Sequence, residues 1–203
     1  MSDMSFTGSE VSRKETGKRL MSLFDALGPV MTGPSSSHTA GILRIGRMGR
    51  QFLGGTPQSV ELHFYGALSQ TYKGHLSDSA VVGGLIGMKE DSPDIGESLN
   101  RAAEEGISVV YVTVPESDRN PNTVDMRLTL EGRKLKVVGV STGGGEILMT
   151  QLEEFPLCLY GNEDALLFIA ERPFEKMEVE KLIGLRLIDL GVETVGQRTL
   201  HTC

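Results

Sequence analysis

The sequence predicts an α+β fold, and three observations carry that prediction. Apolar residues recur at helical spacing in some segments, as at Ile42, Ile45, Met48 and Phe52, with arginines between them. In others they alternate with a period of two: in SVELHFYGAL (59–68), Val60, Leu62 and Phe64 face one way and Glu61, His63 and Tyr65 the other. Between residues 123 and 152, extended patterns follow one another with only turn-forming residues between them, which places antiparallel strands beside helix-linked ones.

The elements follow in order. Residues 1–20 are polar and aperiodic and read as a disordered leader, or as a start codon set too far upstream, with Met21 opening the folded part. SLFDALGPV (22–30) is a short amphipathic stretch ending at a Gly-Pro turn. A serine-rich loop comes next, then a helix over 39–53 stopped by Gly54-Gly55. The half-buried strand 59–68 precedes KGHLSDSAVVGGLIGMK (73–89), a helix that starts near His75–Ser77 and is deeply packed. SPDIGESLNRAAEEG (92–106) is a further helix capped by Gly106, and ISVVYVTV (107–114) is a strongly β-branched strand. TVDMRLTLEGRKLKVVGVS (123–141) reads as a hairpin turning at Glu131-Gly132, and EILMTQL (146–152) is extended after a glycine run. From residue 153 the character shifts: FPLCLYG and ALLFIAE are strands, 172–191 is a helix, and VETVGQRTL (192–200) is a final strand. That tail is a β-α-β appendage, short for an independent domain.

Composition narrows the function classes. With 203 residues, 39% hydrophobic and 23% charged, the chain has enough length and apolar content to fold around a core. A net charge of −7, no tryptophan and 5% aromatics argue against nucleic acid or an anionic membrane as partner. The two cysteines, Cys158 and Cys203, form no CxxC or Cys/His pattern, so no metal site is expected in this chain. With neither a secretory signal nor a long apolar run, the chain reads as soluble and cytoplasmic, with reduced thiols.

Three stretches are candidates for chemistry. Gly33-Pro34-Ser35-Ser36-Ser37-His38-Thr39-Ala40-Gly41 lies just before a helix, where free N–H groups and hydroxyls favour an anion and His38 adds a donor or base. One serine would suffice as an N-cap, and composition alone leaves the capping and ligand readings level. Lys73-Gly74-His75, followed by Asp78, lies at another strand-to-helix junction. A carboxylate three residues on would orient a general base, yet on these residues alone the stronger reading is a solvated His75 and an Asp78 that merely favours the helix dipole. Ser141-Thr142-Gly143-Gly144-Gly145 permits close approach of backbone to a ligand or makes a tight bend, and it lacks the spacing and lysine of a P-loop. His63 and His201 receive no role.

SLFDALGPVMTGPSSSHTAGILRIG, HFYGALSQTYKGHLSDSAVVGGLIG and VGVSTGGGEI, in that order, resemble the β chain of the iron–sulfur-dependent L-serine dehydratases. The resemblance covers residues 21–152. It implies a lyase subunit that converts L-serine to pyruvate and ammonia with a [4Fe–4S] cluster held by cysteines of a partner α chain. It also implies an α+β module similar to the allosteric substrate-binding domain of some phosphoglycerate dehydrogenases, with a mixed sheet and packed helices. By the same resemblance Ser35, Ser36, Ser37, His38 and Thr39 face the cleft with the α chain and hold the substrate's carboxylate or amine. Lys73 and His75 form the second cleft loop, His75 being the preferred acid/base, and Gly143, Gly144 and Gly145 match the family's glycine run. Ala40, Ile42 and Thr142 depart from the residues commoner at those positions. Family β chains often end in an ACT regulatory domain, and residues 153–203 resemble only its first half, leaving an open edge for a second copy or the α chain to cover.

Two other functions compete with the enzyme subunit. A non-catalytic regulatory module would bind serine or another small carboxylate through the same loop. A hydrolase using a serine of 35–37 with His38 is disfavoured, because adjacent residues on one loop rarely reach each other in triad geometry.

Overall fold

A computed structural model describes residues 37–203, and side chains from Thr39 onward. The leader, the stretch 22–30, and Ser35 and Ser36 lie outside the described residues. The fold is α+β with a mixed sheet, as expected. Six strands, β1 (Ser59–Tyr65), β2 (Ser108–Val114), β3 (Thr123–Leu130), β4 (Arg133–Gly143), β5 (Glu146–Leu152) and β6 (Phe155–Tyr160), lie in the order β2-β1-β3-β4-β5-β6. Only β1 and β2 are parallel, and every other pair is antiparallel. A parallel pair needs a crossover, and here it is supplied by helices α2 (Gly66–Thr71), α3 (Ser77–Leu85) and α4 (Ser98–Glu104).

One face of the sheet is the core. Val60, Leu62 and Phe64 of β1, Val124, Met126 and Leu128 of β3, and Ile147 and Met149 of β5 are buried there beneath α1 (Ser37–Leu53) and α3. Helix α1 contributes Ile42 and Ile45 as its periodicity requires, and Leu43 and Leu53 besides. It packs directly on α3, because a Cβ on Gly46 would overlap the Val81 carbonyl and one on Gly84 that of Leu43. All nine residues of α3 are buried, the deep packing that its sequence predicts.

Several boundaries move, each for a local reason. The strand expected over 59–68 ends at Tyr65, because Gly66 takes φ 53° and starts α2. The helix expected over 172–191 is only α5 (Lys176–Ile183), opened by a Glu175/Glu178 capping box and ended by Gly184 at φ 71°. The single final strand is a hairpin, β8 (Gly191–Val195) and β9 (Arg198–Thr202), turning at Gly196 with φ 61°. With β7 (Leu167–Ala170) it forms a three-stranded antiparallel sheet in the order β7-β9-β8. Strand β6, which composition groups with the tail, is hydrogen-bonded to β5 as the edge of the larger sheet. The Glu131-Gly132 hairpin turn is where it is expected, with both residues at positive φ.

Candidate active site

The end of helix α2 positions His75. After Thr71 the chain makes one further turn, in which the Ser77 N–H donates to the Tyr72 carbonyl at 2.7 Å and the Leu76 N–H to that of Lys73 at 3.2 Å. These bonds form a Schellman ending, whose left-handed position is usually glycine. Here it is Leu76, at φ 53° and ψ 31°, a conformation that costs a residue with a side chain about 1–2 kcal/mol. Backbone strain of this kind persists only where surrounding contacts impose it.

One such contact comes from α1. Thr39, buried in its first described turn, donates from Oγ1 to the His75 carbonyl at 3.1 Å. Two residues on, Gly41 lies against Ser141, where a side chain would overlap the serine hydroxyl, and the Ser141 N–H donates to the Asn122 carbonyl at 3.2 Å. Thus the start of α1, the KGH turn and the end of β4 meet, although the sequence separates them widely. Between them a cavity of about 200 Å³ is lined by Ile42, Ala67 and Leu68 and by the polar residues Thr71, His75, Ser77 and Asn122. That volume lies below the range usual for drug-sized ligands and suits a molecule of a few heavy atoms. Among the described residues, no hydrogen bond engages the His75 imidazole or the Asn122 carboxamide, so both remain open to a ligand.

The other expected site residues are placed less uniformly. Ser37 and His38 belong to α1, with side chains outside the described set. Lys73 is exposed, its ammonium 5.8 Å from the Tyr72 ring centroid. Gly143, Gly144 and Gly145 all have positive φ and form the β4–β5 turn, held from α1 by Arg44, which donates to the Gly145 carbonyl at 2.7 Å. None of the three lines the cavity; Ser141, at the head of the run, bonds through its N–H to Asn122, which does. Asp78 does not orient His75. Its Oδ1 accepts the Ser79 N–H at 2.8 Å in the buried first turn of α3, and burial holds its carboxyl above the usual range despite nearby Lys73. Burial also raises the Tyr111 phenol, with Asp78 and Tyr72 adding to the effect, and its hydroxyl has no hydrogen-bond partner among the described residues. Asn122 and Thr71 were not legible as site residues: each is a lone polar residue near a turn, with nothing local to mark it.

Comparison with known proteins bears on the same residues. The family described as "Serine dehydratase beta chain" matches residues 22–108, which include every cavity residue except Asn122. The "Probable L-serine dehydratase, beta chain" of Bacillus subtilis (strain 168) is 40% identical over 180 residues, 88% of this chain and 82% of that protein. The chain belongs to the serine dehydratase β-chain family. A second β chain, the "L-serine dehydratase, beta chain" of Peptoniphilus asaccharolyticus, is 32% identical over 72% of this chain and 67% of its own length. The "L-serine dehydratase 1" of Escherichia coli (strain K12) is 38% identical over 84 residues, only 18% of that protein, so the shared segment is a small part of a longer relative. No described helix is long and apolar enough to cross a membrane.

Proposed function

We propose that this chain supplies one wall of an L-serine dehydratase active site, the other wall belonging to an α chain. The observation that carries this reading is the Thr39–His75 bond, which joins the two motif loops beside a small cavity that His75 lines. Relatives named as β chains support a partner subunit. L-Serine is a small zwitterion, in scale with the cavity. Its carboxylate or amine is held by Ser35, Ser36, Ser37 and Thr39 with Lys73 as a further cation, while the Gly143-Gly144 turn stands outside the cavity lining. His75, with His38 as second candidate, handles protons: one leaves Cα, the β-hydroxyl departs as water, and the aminoacrylate hydrolyses to pyruvate and ammonia. The chain is read as cytoplasmic.

An iron–sulfur cluster does not fit this chain's own residues. Its two cysteines lie away from the cavity, and no group of three or more potential ligands gathers among the described residues. The cluster is assigned to the α chain, and no step here runs through it. The tail is read as the first four elements of an ACT-like unit, since β9 lies between β7 and β8 as in a split β-α-β motif.

The test is co-expression with the α chain under anaerobic conditions, measuring pyruvate from L-serine. Activity should require both chains. His75→Ala should lower it by about 10²-fold or more, the scale of a lost general base. Activity of this chain alone, or unchanged turnover in both His75→Ala and His38→Ala, overturns the reading.

A further inference from the structure

Outside the lining of that cavity, the chain's two cysteines line a single groove. Cys158 lies on β6, exposed, between the half-buried Leu157 and the buried Leu159. Cys203 follows β9, and its position is fixed: its N–H and carbonyl both bond to Leu166, at 2.9 Å each. Both residues line one open groove of about 690 Å³, walled by β6 on one side and by Ile188, Asp189, Gly191, Glu193 and Thr202 on the other. The groove therefore spans the joint between the large sheet and the tail.

The chemistry of the groove is unusual in one respect. Glu163, Asp164, Asp189 and Glu193 line it with the two cysteines, and among the described residues no Lys, Arg or His does. Burial pushes the Cys203 thiol up. The four carboxylates repel anionic oxidants and attract cationic ones. Cys158, the exposed thiol, is reached first, and Cys203 is available to resolve the product.

We propose that Cys158 and Cys203 form an intramolecular disulfide by exchange with a cationic low-molecular-weight disulfide, tying the tail to the large sheet. The Cys158 thiolate attacks one sulfur of R–S–S–R and expels RS⁻, leaving a mixed disulfide. The Cys203 thiolate then attacks the Cys158 sulfur and expels the second RS⁻. The two protein thiols are oxidised, the small disulfide is reduced to two thiols, and the protein's two protons end on them.

The experiment treats the reduced full chain with cystamine, a cationic disulfide, and then alkylates the remaining thiols. Intact mass and a non-reducing peptide map are read. The expected product lacks two hydrogens, and one peptide pair joins Cys158 to Cys203 within a monomer. The ratio of joined peptide to cystamine adduct should fall by about tenfold in urea, because the folded groove supplies the effective concentration. The melting temperature of the oxidised chain should rise and return on reduction. Adducts on both thiols without joining, joining only between chains, or an equal ratio in urea overturns the proposal. Cys158→Ser and Cys203→Ser should each abolish the joined peptide. Persistence of a cross-link in either would overturn it as well.

Discussion

Thr39 and Asp78 show how the same element end, a buried first turn of a helix, serves two different purposes. The Thr39 hydroxyl leaves its own helix to bond the His75 carbonyl, so it holds a neighbouring loop. Thr39→Val should cost about 1 kcal/mol of stability, the net worth of one hydrogen bond, and should lower turnover of the assembled enzyme more than its serine KM. Equal turnover with a lower melting temperature would make Thr39 purely structural. Asp78 bonds within its own helix and is destabilised as an anion, since burial raises its carboxyl above the ordinary 3.8. A raised carboxylate contributes stability below its unfolded value and loses it as pH rises through the folded value. Asp78→Asn keeps an acceptor for Ser79 and should therefore raise the melting temperature at pH 7 while leaving it unchanged near pH 3. Melting curves at the two pH values decide it.

Helices α1 and α3, which contribute Ile42 and Ser77 to the cavity, meet backbone to backbone. Gly46 and Gly84 have carbonyl neighbours, not side-chain ends, so an added methyl has nothing soft to displace. Gly84→Ala and Gly46→Ala should each destabilise by about 1–3 kcal/mol, the usual cost of overpacking, as measured by urea denaturation. A loss under half that would mean the helices separate freely. Much of this architecture was legible. Ile42 and Ile45 gave α1 its buried face, the Val60–Leu62–Phe64 alternation gave β1, and Glu131-Gly132 gave the hairpin. What was not legible depended on single glycines. Nothing local distinguishes Gly184, which stops α5, from the tolerated Gly46 inside α1, because the difference lies in what packs around each. The site was legible in part for a similar reason. Its three motifs stand out in sequence, but that Asn122, and none of the glycine run, lines the cavity follows from how the strands bring distant segments together.

At the scale of the whole molecule, the tail's order depends on one histidine that the site does not use. His201 on β9 is fully buried, stacked on Phe168 with ring centroids 4.4 Å apart and edge-on to Phe174. Its Nε2 accepts the Phe174 N–H at 2.8 Å, which requires the unprotonated nitrogen, and Nδ1 is buried without a hydrogen-bond partner among the described residues. The ring thus joins β7, β9 and the segment entering α5. Burial holds its pKa below the ordinary 6.5, with nearby Arg172 adding to the effect, while the Phe168 and Thr199 backbones oppose it. A group whose folded value is depressed gives stability that is complete above its unfolded value and is lost as pH falls from there through the folded value. Below about pH 6.5, then, the tail should loosen before the large sheet does, because this ring packs among the tail's own elements, whereas the large sheet's buried His63 is paired with the Glu61 carboxylate. Hydrogen exchange at pH 7.5 and 5.5 should show protection falling first in β7, β9 and α5 and remaining in β1 and β3. In His201→Gln, whose amide oxygen also accepts, that pH dependence should vanish even if overall stability drops. Uniform loss of protection across both sheets, or an unchanged pH response in the variant, would assign the sensitivity elsewhere.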